Sequence, residues 1–232
     1  MIEFKNINKK FGHIRVLKDI NLTVEKGSCT VFIGTNGCGK TTLLKCMLNM
    51  VMPDTGAVTI NKTDVASDYS SRKNLGFMPQ IGYFPENMTV NEVIKVIKFV
   101  RNQDKPIDNE LYDQFDIQSV GAKKMNTLSG GTVQKVSAAI AFMFDPEIIV
   151  MDEPFAGLDL SAADILKKKI LKEKEKGKTI LITSHTFSEI DGIVSHVVFM
   201  DTGVISFHKP LRELLSSTGK DNVTDAVMCL LK

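Results

Sequence analysis

An α/β fold, in which a parallel-sheet core carries an N-terminal antiparallel β subdomain and a small helical insertion, is predicted by three features of this 232-residue chain. The first is "SCTVFIGTNGCGKTTLLKC" (28–46), which passes from an apolar strand through a glycine loop into a helix with Leu43, Leu44, Met47 and Leu48 on one face. The second is a pair of later apolar runs, "EIIVMDE" (147–153) and "KTILITSH" (178–185), each reading as a strand buried on both faces. The third is the alternation of Ile2 and Phe4, a strand with its partner near Leu22–Val24.

The remaining elements follow in order. Pro53, Asp54 and Gly56 mark a turn before the strand "AVTI". From 88 the pattern turns helical: "TVNE" (89–92) is a capping box, and Val90, Val93, Ile94, Ile97 and Val100 form an apolar stripe. Asn102 to Asp108 is a polar break, and "DNELYDQF" a short second helix. Residues 81–127 thus read as an insertion, and the whole helical subdomain as about 81–145. A helix runs from Gly131 to about Phe144. "SAADILKKKILKEKEKG" is a helix with Ser161 as its cap and Gly177 as its stop. "HVVFMDTGVISF" is a hairpin turning at Asp201–Gly203, and the tail places Val223, Ala226, Val227, Leu230 and Leu231 on one helical side. The lysines between 167 and 178, interleaved with Glu173 and Glu175, are expected to be a solvated helix face.

Composition narrows the function. Hydrophobic residues make up 43% and charged residues 24%, the balance of a soluble globular chain. A net charge of +2 is too small to imply nucleic acid as a partner. Cys29, Cys38, Cys46 and Cys229 form no CxxC pair, so reduced thiols and a cytosolic setting are expected. The longest apolar run, "VSAAIAFMF" (136–144), is half a membrane span.

"GTNGCGKT" fits G-x-x-x-x-G-K-[ST]. Gly34, Asn36, Gly37, Cys38 and Gly39 would turn backbone N–H groups toward phosphates, with Thr42 in the first helical turn. Lys40 would neutralise β/γ oxygens, and the Thr41 hydroxyl would bind Mg²⁺. "NKTD" (61–64) carries the letters of a guanine-reading motif but lies too early in the chain; a polar hairpin turn explains it. Asp152, at the end of a buried strand, suits a water-mediated hold on Mg²⁺. Glu153 beside it suits a general base for an attacking water. His185 ends the neighbouring strand, within reach of a γ-phosphate. A second glycine pair, in "LSGGTVQKV" (128–136), would expose N–H groups at a helix that Ser129 can cap. One nucleotide has one triphosphate, so Ser129, Gly130 and Gly131 make sense against a nucleotide held by a second copy, in a closed two-fold dimer with two sites.

With these residues in view, the chain resembles the nucleotide-binding domain of the ABC ATPase superfamily over residues 1 to about 208, with 209–232 as a short helical tail. "GTNGCGKT", Gln80 in "GFMPQ", "LSGG", "IIVMDEP", "AGLD" and "TSH" occur in the family's order. The resemblance implies a P-loop NTPase core, ATP and Mg²⁺ as cofactors, and an ATPase subunit that powers a separate membrane permease. It implies that Phe11 stacks on adenine beside Val16, that Gln80 senses Mg²⁺ and γ-phosphate, and that Asp159 lies in a loop crossing a homodimer interface. It also implies a cytoplasmic protein seated on the inner face of the membrane. Phe11 for tyrosine, Thr132 and Lys135 for Gln and Arg, and Ala156 for Ser depart from the pattern without removing a catalytic group. "PQIGYFPENMTV" and "ELLSSTGKDNVTDAVMCLL" resemble the ATPases of exporter-type systems, among them the one that helps mature nitrous oxide reductase and its copper centre. The alternatives are a soluble ABC ATPase working on DNA or ribosomes, which usually has tandem domains or coiled-coil insertions, and a catalytically dead module, which Glu153 and His185 oppose.

Overall fold

The structure is a computed structural model that describes residues 1–101 and 107–230. Two antiparallel strands open it. β1 (Ile2–Phe11) sets Ile2 opposite Val24 and Phe4 opposite Leu22 of β2 (Ile14–Val24). The chain then enters β3 (Cys29–Gly34), the glycine loop and α1 (Lys40–Met47). β4 (Thr55–Ile60) returns to β1, and β5 (Thr63–Asp64) completes a four-stranded sheet of order β2-β1-β4-β5. Of the "NKTD" letters, Asn61 and Lys62 form the β4–β5 turn and Thr63–Asp64 are β5 itself. Asn61 and Lys62 take φ of 51° and 70°, the pattern a two-residue hairpin needs.

β6 (Leu75–Met78) precedes α2 (Val90–Arg101), α3 (Glu110–Gln114) and α4 (Gly130–Phe142). The capping box forms as the sequence implies, Thr89 N donating to Glu92 Oε2 (2.8 Å) and Glu92 N to Thr89 Oγ1 (3.3 Å). Val90, Val93 and Ile94 are buried, but Val100 is 73% exposed: the last turn of α2 runs past the core it packs on. Of the polar break at 102–108, residues 102–106 lie outside those described. β6 is an element the periodicity does not announce, because it is four residues long and contains Gly76. That glycine is required by packing: a Cβ there would stand 2.0 Å from Ala141 O of α4.

The chain continues through β7 (Ile148–Asp152), α5 (Leu160–Glu175), β8 (Thr179–Ser184), α6 (Phe187–Ile190), β9 (His196–Asp201) and β10 (Val204–Pro210). These complete a six-stranded sheet of order β10-β9-β3-β8-β7-β6, parallel except for β10. Its two faces feed two cores, as alternation along a strand requires. Phe32, Val150, Leu181 and Val198 face α1 and the smaller sheet, whereas Val31, Ile149, Ile182 and Val197 face the helical side. α7 (Leu211–Thr218) and α8 (Val223–Leu230) close that side, burying Leu214, Val223, Ala226 and Val227. Leu230 is exposed, and Leu231 lies outside the described residues. At the free edge of β6, Arg101 donates to the carbonyls of Lys73 (2.6 Å) and Leu75 (2.8 Å) and lies over the Phe144 ring. No described helix is long and apolar enough to cross a membrane.

Two expectations for α5 are corrected. Its cap is Asp159, whose carboxylate accepts from Ala162 N (2.8 Å); Ser161 is the exposed second residue of the helix. The lysine run is not wholly solvated. Lys169 is 2% exposed and pairs with Asp108 (2.5 Å), Glu110 (2.8 Å) and Glu173 (3.0 Å), while Glu173 is fully buried and also pairs with Lys176 (2.8 Å) and Lys178. Residues 162, 166, 169, 170 and 173 share the inward face, so the charges at 169 and 173 had to find partners there. The cluster joins α5 to α3.

Candidate functional site

The site lies where the parallel strands end. Gly39 caps α1 with φ of 108°, and a Cβ there would meet Val16 O at 2.8 Å, so the loop before α1 admits only glycine at this point. The loop and the helix start form one wall of a cleft of about 410 Å³ lined by Phe11, Val16, Asn36, Gly37, Gly39, Lys40, Thr41, Thr42, Gln80 and Glu153. Phe11 is half-exposed at the end of β1, with the Lys9 ammonium 5.4 Å from its ring centroid. Gly34 and Cys38 do not line this cleft. The Cys38 side chain is buried in the core beneath α1.

Lys40 is buried, its ammonium donating to Gly34 O (2.7 Å) and Thr35 O (3.1 Å). Thr41 Oγ1 donates to Asp152 Oδ1 (3.1 Å), so a hydroxyl and a buried carboxylate meet at the cleft floor. Such hard oxygens suit Mg²⁺, which takes one or two protein ligands and completes its shell with phosphate and water. Among the described residues, no three acidic, histidine or cysteine side chains form a cage of their own.

Glu153 follows with φ of 50°, and its carboxylate turns to the cleft. Gln80 Nε2 donates to its Oε2 (3.0 Å), and His185 Nδ1 stands 3.3 Å from the same oxygen. Both contacts fall on Oε2; Oε1 has no protein partner among the described residues, which leaves an acceptor for water. β6, β7 and β8 thus deliver Gln80, Asp152, Glu153 and His185 to one spot. Two residues there were not singled out from the sequence. Thr183, paired with Asp152 across the β7–β8 ladder, bonds to both acids; its signal was a hydroxyl inside an apolar strand. Gln134 of α4 donates to Gln80 O (2.7 Å), and only the packing of α4 under that loop reveals it.

The second glycine stretch lies elsewhere. Ser129 caps α4, its Oγ accepting from Thr132 N (3.3 Å), and Ser129 and Gly130 are exposed. Neither these residues nor Gly131 line the cleft. Asp159 is also outside it. Its second oxygen pairs with Lys135 Nζ (2.7 Å), and Lys135 with the Ala162 amide holds the carboxyl below its ordinary range. Cys29, Cys38 and Cys46 are buried free thiols and Cys229 an exposed one; burial pushes Cys29 up to about 12 and Cys46 up to about 11.

A nucleotide-phosphate loop, an acid pair at a strand end and a glutamine and histidine converging on the second acid define an ATP-hydrolysing cassette. The ABC transporter family profile matches residues 17–156, and the chain belongs to that family as an ATP-binding subunit. It is 32% identical over 234 residues to the L-cystine import ATP-binding protein TcyN of Bacillus subtilis, covering 95% of this chain and 90% of that one. It is 30% identical to the Nod factor export ATP-binding protein I of Burkholderia lata, over 87% of this chain and 68% of the relative. The fold superposes on the ATP-binding subunit of an ABC transporter with a TM-score of 0.90, at 24% identity with both chains fully covered. It also superposes on a dimeric bacterial ABC transporter cassette at 0.80, with 24% identity over 91% of this chain and 99% of the other.

Proposed function

We propose that this subunit hydrolyses ATP as one half of a homodimer and thereby drives a separate membrane-spanning permease. The observation that carries the reading is the convergence of Gln80 and His185 on one oxygen of Glu153, beside Lys40, Thr41 and Asp152. Phe11 and Val16 hold the adenine, and the amides of 34–39 with Lys40 and Thr42 hold the phosphates. Thr41, Gln80 and Asp152 hold the accompanying Mg²⁺, which when bound neutralises phosphate charge. Glu153 takes a proton from water as its oxygen bonds to the γ-phosphorus and the bond to the β–γ bridging oxygen breaks, releasing ADP and phosphate. His185 and Gln80 fix the carboxylate. Ser129, Gly130 and Gly131 complete the partner subunit's site, and Asp159 lies on the same dimer face.

On this reading residues 1–208 are the nucleotide-binding domain, about 81–145 its helical subdomain, and 209–232 a tail. The subunit works in the cytoplasm against the inner face of the membrane. An exporter-type role, within it the maturation of a copper centre, is the subtype favoured by segments 79–90 and 213–231.

Glu153→Gln tests the mechanism. The amide keeps the shape and cannot take the proton, so turnover falls about 10²- to 10⁴-fold while ATP still binds. With Mg-ATP the variant runs as a dimer on size exclusion. Turnover at the parent rate, or a variant that never dimerises, defeats the reading.

A further inference from the structure

The ladder between β7 and β8 sets Asp152, the last residue of β7, directly opposite Thr183, the last but one of β8. Thr183 is fully buried. Its hydroxyl donates to Asp152 Oδ1 (2.5 Å) and accepts from Glu153 N (2.9 Å). One side-chain oxygen therefore serves two consecutive acids, the carboxylate of the first and the backbone of the second. The backbone needs this help. Glu153 has φ of 50°, in the left-handed region that residues with a Cβ avoid, and the other acceptor for its N–H is Thr183 O at 3.2 Å. An extended residue 153 would continue β7, and its side chain would turn to another direction, because successive side chains of a strand point to opposite faces. The kink at 153 is what turns its carboxylate toward Gln80 and His185.

We infer that Thr183 is a positioning residue for hydrolysis. Its hydroxyl holds Asp152 in orientation and keeps Glu153 in the left-handed conformation that aims the carboxylate into the cleft. The inference rests on the roles given above to Asp152 and Glu153, and it assigns to Thr183 no contact with ATP.

Two substitutions separate this role from packing. Thr183→Val exchanges the hydroxyl for a methyl, keeps the β-branched shape that a buried strand favours, and removes both bonds. Thr183→Ser keeps the hydroxyl and deletes a buried methyl. If Thr183 only fills space, valine is the benign change and serine the harmful one. If it positions the acids, activity follows the opposite order to stability. The test is steady-state hydrolysis by the full chain, with thermal melting and titration of a fluorescent ATP analogue on the same samples. Serine is expected to melt earlier yet keep kcat within about threefold of the parent. Valine is expected to melt near the parent, bind the analogue as the parent does, and lose at least about thirtyfold in kcat, with KM changed by less than about threefold. This would be a large part of the loss typical of a removed general base. Parent-like kcat in the valine variant overturns the inference. So does a loss above tenfold in the serine variant, which decides the matter alone if the valine chain does not fold. Glu153→Gln is run beside them. If it is inactive while Thr183→Val is not, only the role of Thr183 fails; if it turns over at the parent rate, the assignment of Glu153 fails first.

Discussion

Lys169→Met isolates the buried ion cluster that ties α3 to α5. The substitution removes only the cation, from a site where it contacts Asp108, Glu110 and Glu173 at 2.5–3.0 Å. Methionine fills most of the space, so the cost arises mainly from the carboxylates left behind. Removing one partner of a buried pair costs about 3–5 kcal/mol. Here Glu173 keeps Lys176 and Lys178, and Glu110 keeps Lys172, which places the loss at the lower end, about 3 kcal/mol. For 232 residues the unfolding entropy near Tm is about 0.5 kcal/mol/K, so Tm should fall by about 6 °C. The neighbouring Lys168→Met is the control. Lys168 is mostly exposed, its pair with Asp164 sits on the helix surface, and such pairs contribute about 0.3–0.5 kcal/mol, or about 1 °C. Thermal unfolding followed by circular dichroism reads both. Equal shifts in the two variants would refute the claim that Lys169 and Lys168 differ in burial and partnership.

The same cluster predicts an acid limit. Burial alone would raise the Glu173 carboxyl, but Lys176, Lys178 and Lys169 hold it at about 2 against an ordinary 4.5. Because the folded value is depressed, its contribution is fully present above pH 4.5 and is lost as pH falls toward 2. Its size is about 3 kcal/mol. Urea midpoints across that window should fall more steeply in the parent than in Glu173→Gln; parallel curves would show that another group governs. Lys40→Ala should weaken nucleotide binding by removing the buried loop cation, whereas Ser129→Arg should leave binding to one subunit intact and block dimer closure. Equal loss of binding in both titrations would mean that Ser129 serves its own subunit's nucleotide.

The glycine loop, the acid pair and the capping box were legible because each is local. Spacing alone puts Gly39, Lys40 and Thr41 at a helix start and Asp152 at a strand end. β6 was not legible, since its four residues carry little periodic signal and Gly76 matters only through the close approach of α4. The burial of Lys169 was written in the spacing of 162, 166, 170 and 173, yet the density of lysines around it disguised the inward face. The sequence reads Ser161 as the cap of α5 because a serine there can accept from a helix amide; the extended backbone at Asp159 places the start of the helix two residues earlier. Thr183 and Gln134 act across elements 30 or more residues apart from their partners, and no local pattern marks that.

Arg101 occupies the carbonyls of Lys73 and Leu75, the acceptors that an incoming strand would use at the β6 edge. At the opposite edge, β10 carries Lys209 and ends at Pro210, which has no N–H to give. The large sheet therefore resists lengthening by a strand from another molecule, the route by which exposed edges seed fibrils.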